Sequence, residues 1–258
     1  MPPDAAVTTT TPDGPLLRLE SVAVAFGGLR ALDGVDLVVT TGERVAVLGP
    51  NGAGKTTLFN AITGDHAPTE GRVIIDGVDC THLPSRLRPQ LGVARTYQKT
   101  RLFGGLTVED NLYLAQTGYA GRHFSLRRSA TDRRLREAAG ELAGTVWLGD
   151  QLATLVADLS HGQQRQLEIG IALANHPRLM MLDEPASGLS RGERERLVDL
   201  LEELPPTTTV LLIEHDMDVA LRVAGRVVVM DKGTTVATGT PDEIRANPLV
   251  HAVYLGQS

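Results

Sequence analysis

The sequence has little cysteine and no long apolar run, and each shortage excludes a class of protein. Cys80 is the single cysteine among 258 residues, which excludes an internal disulfide or a cysteine-based zinc cluster and favours a reducing, cytosolic setting. Apolar runs such as residues 179–182 fall far below the ~20 residues that a membrane-spanning helix needs. Any membrane role therefore requires a separate membrane partner.

Basic charge and aromatic side chains are also scarce. The chain has 25 Lys and Arg residues against 31 Asp and Glu, a formal net charge of -6, and its aromatic content is 3%. Proteins that bind nucleic acid rely on basic surfaces and on aromatic side chains that stack on bases. We therefore expect no nucleic-acid partner.

The length allows one large domain or two small ones, since about 150 residues per domain is usual. Residues 1–15 are rich in Pro and Thr and lack the basic start and apolar core of a signal peptide, so we expect a disordered tail there. The motifs described below place one domain over residues 16–256.

Hydrophobic patterns predict an α/β fold. Alternating apolar residues over 17–26 and 35–39 are typical of antiparallel strands, whereas residues 44–48 form a uniformly apolar strand, which we expect to be buried on both faces. A mainly helical stretch follows from about residue 106 to 157. Strands then alternate with helices through residues 179–182, 210–213 and 227–230. This order predicts a largely parallel sheet interrupted by a helical insertion.

A glycine-rich loop follows the strand at residues 44–48. Residues 49–56 read GPNGAGKT, which fits the phosphate-loop pattern G-x-x-x-x-G-K-[ST] between a strand and a helix. Glycines let backbone N–H groups turn towards phosphate oxygens, Lys55 would reach the β- and γ-phosphates, and the Thr56 hydroxyl would bind Mg²⁺. The residues predicted to bind the phosphates are Gly49, Pro50, Asn51, Gly52, Ala53, Gly54, Lys55, Thr56 and Thr57.

Two carboxylates end the apolar strand at residues 179–182. Ligands bind at the carboxyl ends of strands in open α/β sheets, which is where Asp183 and Glu184 would lie. We expect Asp183 to hold Mg²⁺ and Glu184 to orient and deprotonate the attacking water. A strand that simply ends in solvent is the alternative for such a pair taken alone.

A third motif, LSHGQ at residues 159–163, resembles the LSGGQ signature of the ATP-binding cassette (ABC) family. Ser160, Gly162 and Gln163 begin a helical run, where a hydroxyl and backbone N–H groups can bind an anion. The alternative is a serine that only caps the helix. His161 replaces the usual first glycine, so its side chain must point away from the phosphate.

The resemblance to the family covers nearly all of the chain and assigns further roles. It implies that Gln98 links Mg²⁺ and the attacking water to the helical subdomain, and that His215 contacts the γ-phosphate. It implies that Phe26 stacks on adenine, although Val22, Val24 and Phe26 share a strand face and could all be core. Ser190 stands where the family usually has Asp.

The fold that the resemblance implies is a P-loop NTPase core of the RecA-like type with a mostly parallel sheet. An N-terminal antiparallel β-subdomain precedes it, and an α-helical subdomain is inserted over about residues 98–163. The cofactors implied are ATP and Mg²⁺. The signature and the phosphate loop of one cassette normally face different nucleotides, so the chain needs a second ATPase subunit, identical or different.

Within the family, VARTYQ, LSHGQQRQLEIG, LLIEHDMDVALRVA and HAVYLG resemble ATPase subunits of branched-chain amino-acid importers. This resemblance implies integral membrane permease subunits, an indirect link to a solute-binding protein, and a place on the cytoplasmic face of the cell membrane or, when unassembled, in the cytosol. The alternatives are a urea or amide importer ATPase and a soluble ABC ATPase outside transport. A small-molecule kinase or GTPase leaves Ser160 and His215 unexplained.

Overall fold

The computed structural model describes residues 14–96, 102–119 and 130–255. The strands are β1 (Leu17–Phe26), β2 (Leu29–Val39), β3 (Arg44–Leu48), β4 (Glu70–Ile75), β5 (Val78–Asp79), β6 (Val93–Arg95), β7 (Leu179–Asp183), β8 (Thr209–Ile213), β9 (Arg226–Asp231) and β10 (Thr234–Gly239). The α-helices are α1 (Lys55–Thr63), α2 (Val108–Tyr119), α3 (Ala130–Thr145), α4 (His161–Leu173), α5 (Arg191–Glu203), α6 (Met217–Val223), α7 (Pro241–Ala246) and α8 (Pro248–Leu255). Short 3₁₀ helices cover Ser85–Leu91, Gly149–Gln151 and Val156–Asp158.

The central sheet has the strand order β10-β9-β3-β8-β7-β6. Strands β9, β3, β8, β7 and β6 are parallel, and β10 pairs antiparallel with β9. Every residue of β7 and β8 is buried, and alternate residues enter two different hydrophobic clusters: Met180 packs in one and Met181 in the other. The predicted mostly parallel sheet is confirmed, and residues 45–48 of β3 are buried and alternate between the same two clusters, as predicted for that strand.

A second sheet is formed by strands that lie before and after helix α1 in the sequence. Its strands pair antiparallel in the order β2-β1-β4-β5. The sequence placed the second strand at residues 35–39, but β2 begins earlier, at Leu29. Strand β2 passes through Gly34 at a φ of 68°, and its register with β1 shifts between Val22 and Val24. The glycine therefore forms an irregularity inside one strand and does not separate two elements.

Helices α2 and α3 lie in the chain between β6 and β7, and α4 leads back to the sheet. Helix α2 begins with a side-chain cap, because the Asp110 N–H donates to Thr107 Oγ1 at 3.1 Å. This arrangement agrees with the predicted helical insertion. The predicted start of the helical subdomain at residue 98, and nearly all of the predicted tail over 1–15, fall outside the described residues.

Strand β10 and helices α7 and α8 were not predicted from the sequence. Helix α7 nevertheless carries a clear start signal: the Thr240 side chain accepts from the Glu243 N–H, the Glu243 side chain accepts from the Thr240 N–H, and Pro241 is the first helical residue. None of the helices described is long and apolar enough to cross a bilayer.

Candidate active site

The glycine-rich loop connects β3 to α1 and takes a conformation that only glycine allows at Gly49 and Gly54. Gly49 has a φ of 150°, and a Cβ there would lie 2.2 Å from the Met230 carbonyl oxygen. Gly54 has a φ of 100° and directly precedes α1. The loop therefore wraps closely over the sheet and leaves the N-terminus of α1 facing outward.

The Lys55 side chain makes hydrogen bonds inside the loop. Its Nζ donates to the carbonyl oxygens of Gly49 at 2.6 Å and Pro50 at 3.0 Å. Burial lowers the pKa of Lys55, while the charges of Glu184 and Asp183 act in the opposite direction. The ammonium group is thus held at the loop by two neutral carbonyls, and a charged phosphate oxygen would be a stronger acceptor for it.

Asp183 and Glu184 lie at the carboxyl end of β7, beside β8. Asp183 is buried, and the Glu184 N–H donates to the Ile213 carbonyl oxygen at 2.9 Å. Glu184 has a φ of 48°, an uncommon backbone conformation for a residue with a side chain. This turn directs the two neighbouring carboxylates to different places, one into the sheet edge and one towards the loop.

His215 follows β8 and lies beside Glu184. Its Nδ1 is 3.9 Å from Glu184 Oε2 and 3.9 Å from Glu214 Oε2. Glu214 is fully buried and accepts from the backbone N–H groups of Ala186 at 2.9 Å and His215 at 3.2 Å. Burial raises the pKa of Glu214 above its ordinary value. Sequence analysis missed Glu214, which connects the two loops that follow β7 and β8.

A cavity of about 490 Å³ lies over the loop. Phe26 lines it and is 44% exposed, whereas Val22 and Val24 are buried, so Phe26 does not belong to the core. The ring of Phe26 lies 4.8 Å from that of His66. The other lining residues are Leu29, Arg30, Ala31, Asn51, Gly52, Ala53, Gly54, Lys55, Thr56, Thr57, Glu184, Lys232 and Gly233.

Lys232 and Gly233 are lining residues that sequence analysis missed. They form the turn between β9 and β10. The Gly233 N–H donates to the Ala53 oxygen of the glycine-rich loop, and the Gly233 oxygen accepts from the Asp33 N–H of β2. The Asp-Lys-Gly sequence that follows a buried strand is typical of a tight turn, and this pattern could have identified them. Lys232 therefore joins Lys55 and Arg30 as cationic residues that line the cavity.

Ser160, Gly162 and Gln163 lie at the start of α4 and are not among the described residues that line this cavity. Ser160 Oγ accepts from the Gln163 N–H at 3.2 Å, and Gln163 Oε1 accepts from the Ser160 N–H at 2.9 Å, so both side chains cap the helix. The imidazole of His161 lies against Gly188, where a Cβ would lie 3.1 Å from its Cε1. Within one chain, the signature residues at the start of α4 therefore lie apart from the cavity over the phosphate loop.

Glu193 connects the starts of α4 and α5. Its Oε1 accepts from the Gly162 N–H at 2.9 Å, and its Oε2 accepts from the Ser190 hydroxyl at 2.7 Å. Hydrogen bonds from the Ser190 side chain, and then from the Gly162 N–H, lower the pKa of Glu193 to about 2. Sequence analysis missed this contact, because it joins residues that are distant in the sequence.

This lowered pKa predicts an acid-dependent loss of stability. An ionised Glu193 stabilises the folded state above its ordinary pKa of 4.5, and the contribution disappears as the pH falls towards about 2. Gln can keep the helix cap without the charge, so Glu193→Gln is the matched variant. We expect the difference in unfolding free energy between wild type and Glu193→Gln to shrink from pH 5 to about pH 2 in urea titrations. A difference that stays constant with pH contradicts the assignment.

The site offers few groups to a metal ion. Among the described residues, no three His, Cys, Asp or Glu side chains cluster as metal ligands. Mg²⁺ that binds with a nucleotide needs only one or two protein ligands, because phosphates and waters supply the rest. Asp183 Oδ1 is buried and has no hydrogen-bond partner within the described part of the chain, which fits a Mg²⁺-bound water. Thr56 lines the cavity, and Gln98 lies outside the described residues.

Comparison with known proteins agrees with this geometry. The family model described as "ABC transporter" matches residues 32–187, and the model described as "Branched-chain amino acid ATP-binding cassette transporter" matches residues 234–258. The first match includes the phosphate loop, the signature, Asp183 and Glu184. The second holds β10, α7 and α8, which sequence analysis had not predicted.

Individual relatives extend the match to nearly the whole chain. The chain is 40% identical over 253 residues to the high-affinity branched-chain amino acid transport ATP-binding protein BraF of Pseudomonas aeruginosa, covering 95% of this chain and 99% of BraF. It is 39% identical over 254 residues to LivG of Escherichia coli K12, a protein of the same description, with the same coverage. The crystal structure of the ADP conformation of MJ1267, an ATP-binding cassette of an ABC transporter, is 28% identical with a TM-score of 0.83 and covers 94% of this chain and 99% of that one. The chain belongs to the ABC transporter family, as one of its ATP-binding cassettes.

Proposed function

We propose that this chain binds and hydrolyses ATP as a subunit of an importer for branched-chain or related amino acids. The observation that carries the proposal is the cavity that the phosphate loop, Phe26 and Glu184 line together. The relatives named above are branched-chain amino acid transport proteins, and residues 234–258 match the model specific to that branch. Both findings favour this transport role over a soluble ABC ATPase.

The nucleotide occupies the cavity in this proposal. Backbone N–H groups of the loop and the start of α1 bind the phosphates, and Lys55 exchanges its two carbonyl partners for phosphate oxygens. Adenine stacks on the exposed ring of Phe26. Glu184 accepts a proton from the attacking water, and His215 contacts the γ-phosphate from the neighbouring strand end.

Thr56, Asp183 and Gln98 would hold Mg²⁺ in this assignment. Asp183 supports the assignment because its Oδ1 has no hydrogen-bond partner among residues 14–96, 102–119 and 130–255, and Thr56 lies in the first turn of α1. When bound, Mg²⁺ would offset the negative charge of the phosphates. The protein's own part is to hold these oxygens in place before the nucleotide arrives.

Two chains complete each site. Ser160, Gly162 and Gln163 do not reach the cavity of their own chain, so they bind the γ-phosphate held by a second ATPase subunit. A related cassette, MJ0796, forms a dimer bound to ADP and Pi, with 27% identity and a TM-score of 0.73. Closure of the pair would drive integral membrane permease subunits at the cytoplasmic face of the membrane, with a solute-binding protein acting through them.

The identity of the transported solute can be tested in the assembled transporter. Reconstituted with its permease and binding protein, the complex is expected to hydrolyse ATP faster when leucine, isoleucine or valine is supplied, and the isolated chain is expected to bind none of them in calorimetry. Stimulation by urea or a short amide instead would show that the transported solute is different, while the proposed ATPase role would stand. Leucine binding to the isolated chain would contradict the proposed division of labour.

A further inference from the structure

Arg95, the last residue of β6, forms a buried charge network beneath the cavity. Its Nη2 donates to Asp183 Oδ2 at 2.7 Å, and its Nη1 donates to Asn60 Oδ1 at 2.7 Å and contacts Asp65 Oδ2 at 3.2 Å. The side chains of Arg95 and Asp183 are 7% and 2% exposed. The guanidinium group therefore joins the carboxylate at the end of β7 to the C-terminal end of α1.

Asp183 needs a cation in the absence of nucleotide. A buried carboxylate without a counter-charge is costly, and removing one partner of a buried ion pair is strongly destabilising. Lys55 donates to the carbonyl oxygens of Gly49 and Pro50, whereas Arg95 donates directly to the carboxylate. Arg95 uses only Oδ2 and leaves Oδ1 buried without a hydrogen-bond partner in the described structure.

We propose that Arg95 is a positioning residue that supplies the counter-charge of Asp183 in the nucleotide-free chain, a task that Mg²⁺ shares once a nucleotide is bound. The inference rests on the proposed nucleotide site. Because Arg95 binds Asp183 Oδ2, the other carboxylate oxygen keeps no hydrogen-bond partner among the described residues and is available to a metal-bound water. Loss of Arg95 should then cost more stability without Mg²⁺ than with it.

The chain contains a matched control for this idea. Arg165 Nη1 donates to Glu168 Oε2 at 2.6 Å within α4, and these side chains are 7% and 9% exposed. This second buried pair is not among the described residues that line the cavity. Removing Arg165 should therefore cost stability to the same extent whether Mg²⁺ is present or absent.

The test compares Arg95→Met and Arg165→Met with wild type by thermal unfolding, using a non-hydrolysable ATP analogue with either excess EDTA or excess Mg²⁺. The rise in Tm on adding Mg²⁺ should be larger for Arg95→Met than for wild type by about 5 °C, and unchanged for Arg165→Met. An increment equal to or below that of wild type overturns the role of Arg95. A wild type with no increment overturns the metal-nucleotide site itself.

A second variant covers the case in which Arg95→Met does not fold. Asp183→Asn removes the charge that needs compensation, so Arg95→Met should cost much less in that background, and the double variant should fold. A double variant that also fails to fold would show that Arg95 acts through contacts other than the one to Asp183, such as those to Asn60 and Asp65. That result would overturn the proposal.

Discussion

The Glu184→Gln variant is expected to keep ATP binding and to lose hydrolysis almost completely. Glu184 lines the nucleotide cavity, its side chain is 20% exposed, and its backbone is fixed by the bond to Ile213. A positioned general base contributes about 10²- to 10⁴-fold, and the amide of Gln cannot accept the proton of water. Turnover should fall by at least this factor, because no other described carboxylate lines the cavity.

A variant of a similarly buried carboxylate provides the control. Glu43 is 22% exposed and pairs with Arg226, away from the cavity, so Glu43→Gln should retain turnover. Steady-state hydrolysis is measured for both, together with the mass of the protein in Mg²⁺ and ATP. Glu184→Gln should accumulate as an ATP-bound dimer, since a ligand held between two chains favours their association. Turnover at the wild-type rate would show that Glu184 is not the base.

The parts of the site that could be predicted from the sequence lie within single segments. The phosphate loop and Asp183-Glu184 are contiguous motifs next to apolar strands, so strand position alone brings them to one sheet edge. Ser160 was assigned in the same way, from five residues at a helix start. Each of these motifs is recognised from consecutive residues and the strand or helix next to them, so the sequence alone is enough to identify it.

The contacts that could not be predicted join distant segments. Arg95 ends a strand of three residues and meets Asp183 across 88 positions, and Glu193 meets Gly162 across 31. Lys232 reaches the cavity only because β9 lies beside β3. A charged residue in a short or exposed segment has no pattern of its own, since its role depends on which strands become neighbours.

Lys55→Ala and Ser160→Arg should separate binding within one chain from binding between two. Lys55 lies in the cavity at the loop, so its loss should weaken ATP binding to the monomer by about 10-fold or more, the usual cost of a charge-assisted hydrogen bond. Ser160 is exposed and does not line that cavity, so Ser160→Arg should leave monomer affinity unchanged. It should nevertheless abolish hydrolysis, because a bulky cation would stand where the partner's γ-phosphate binds.

Loss of the helix cap alone must be separated from this effect. Thr240 caps α7 with the same reciprocal hydrogen bonds to Glu243 and lies outside the nucleotide cavity, so Thr240→Arg should show the stability cost of about 1 kcal/mol without loss of turnover. Fluorescence titration on dilute, monomeric protein gives the nucleotide affinity, and hydrolysis at high concentration gives the dimer's activity. Equal loss of monomer binding in Lys55→Ala and Ser160→Arg would place Ser160 at its own chain's nucleotide. In that case the two-chain arrangement would be wrong.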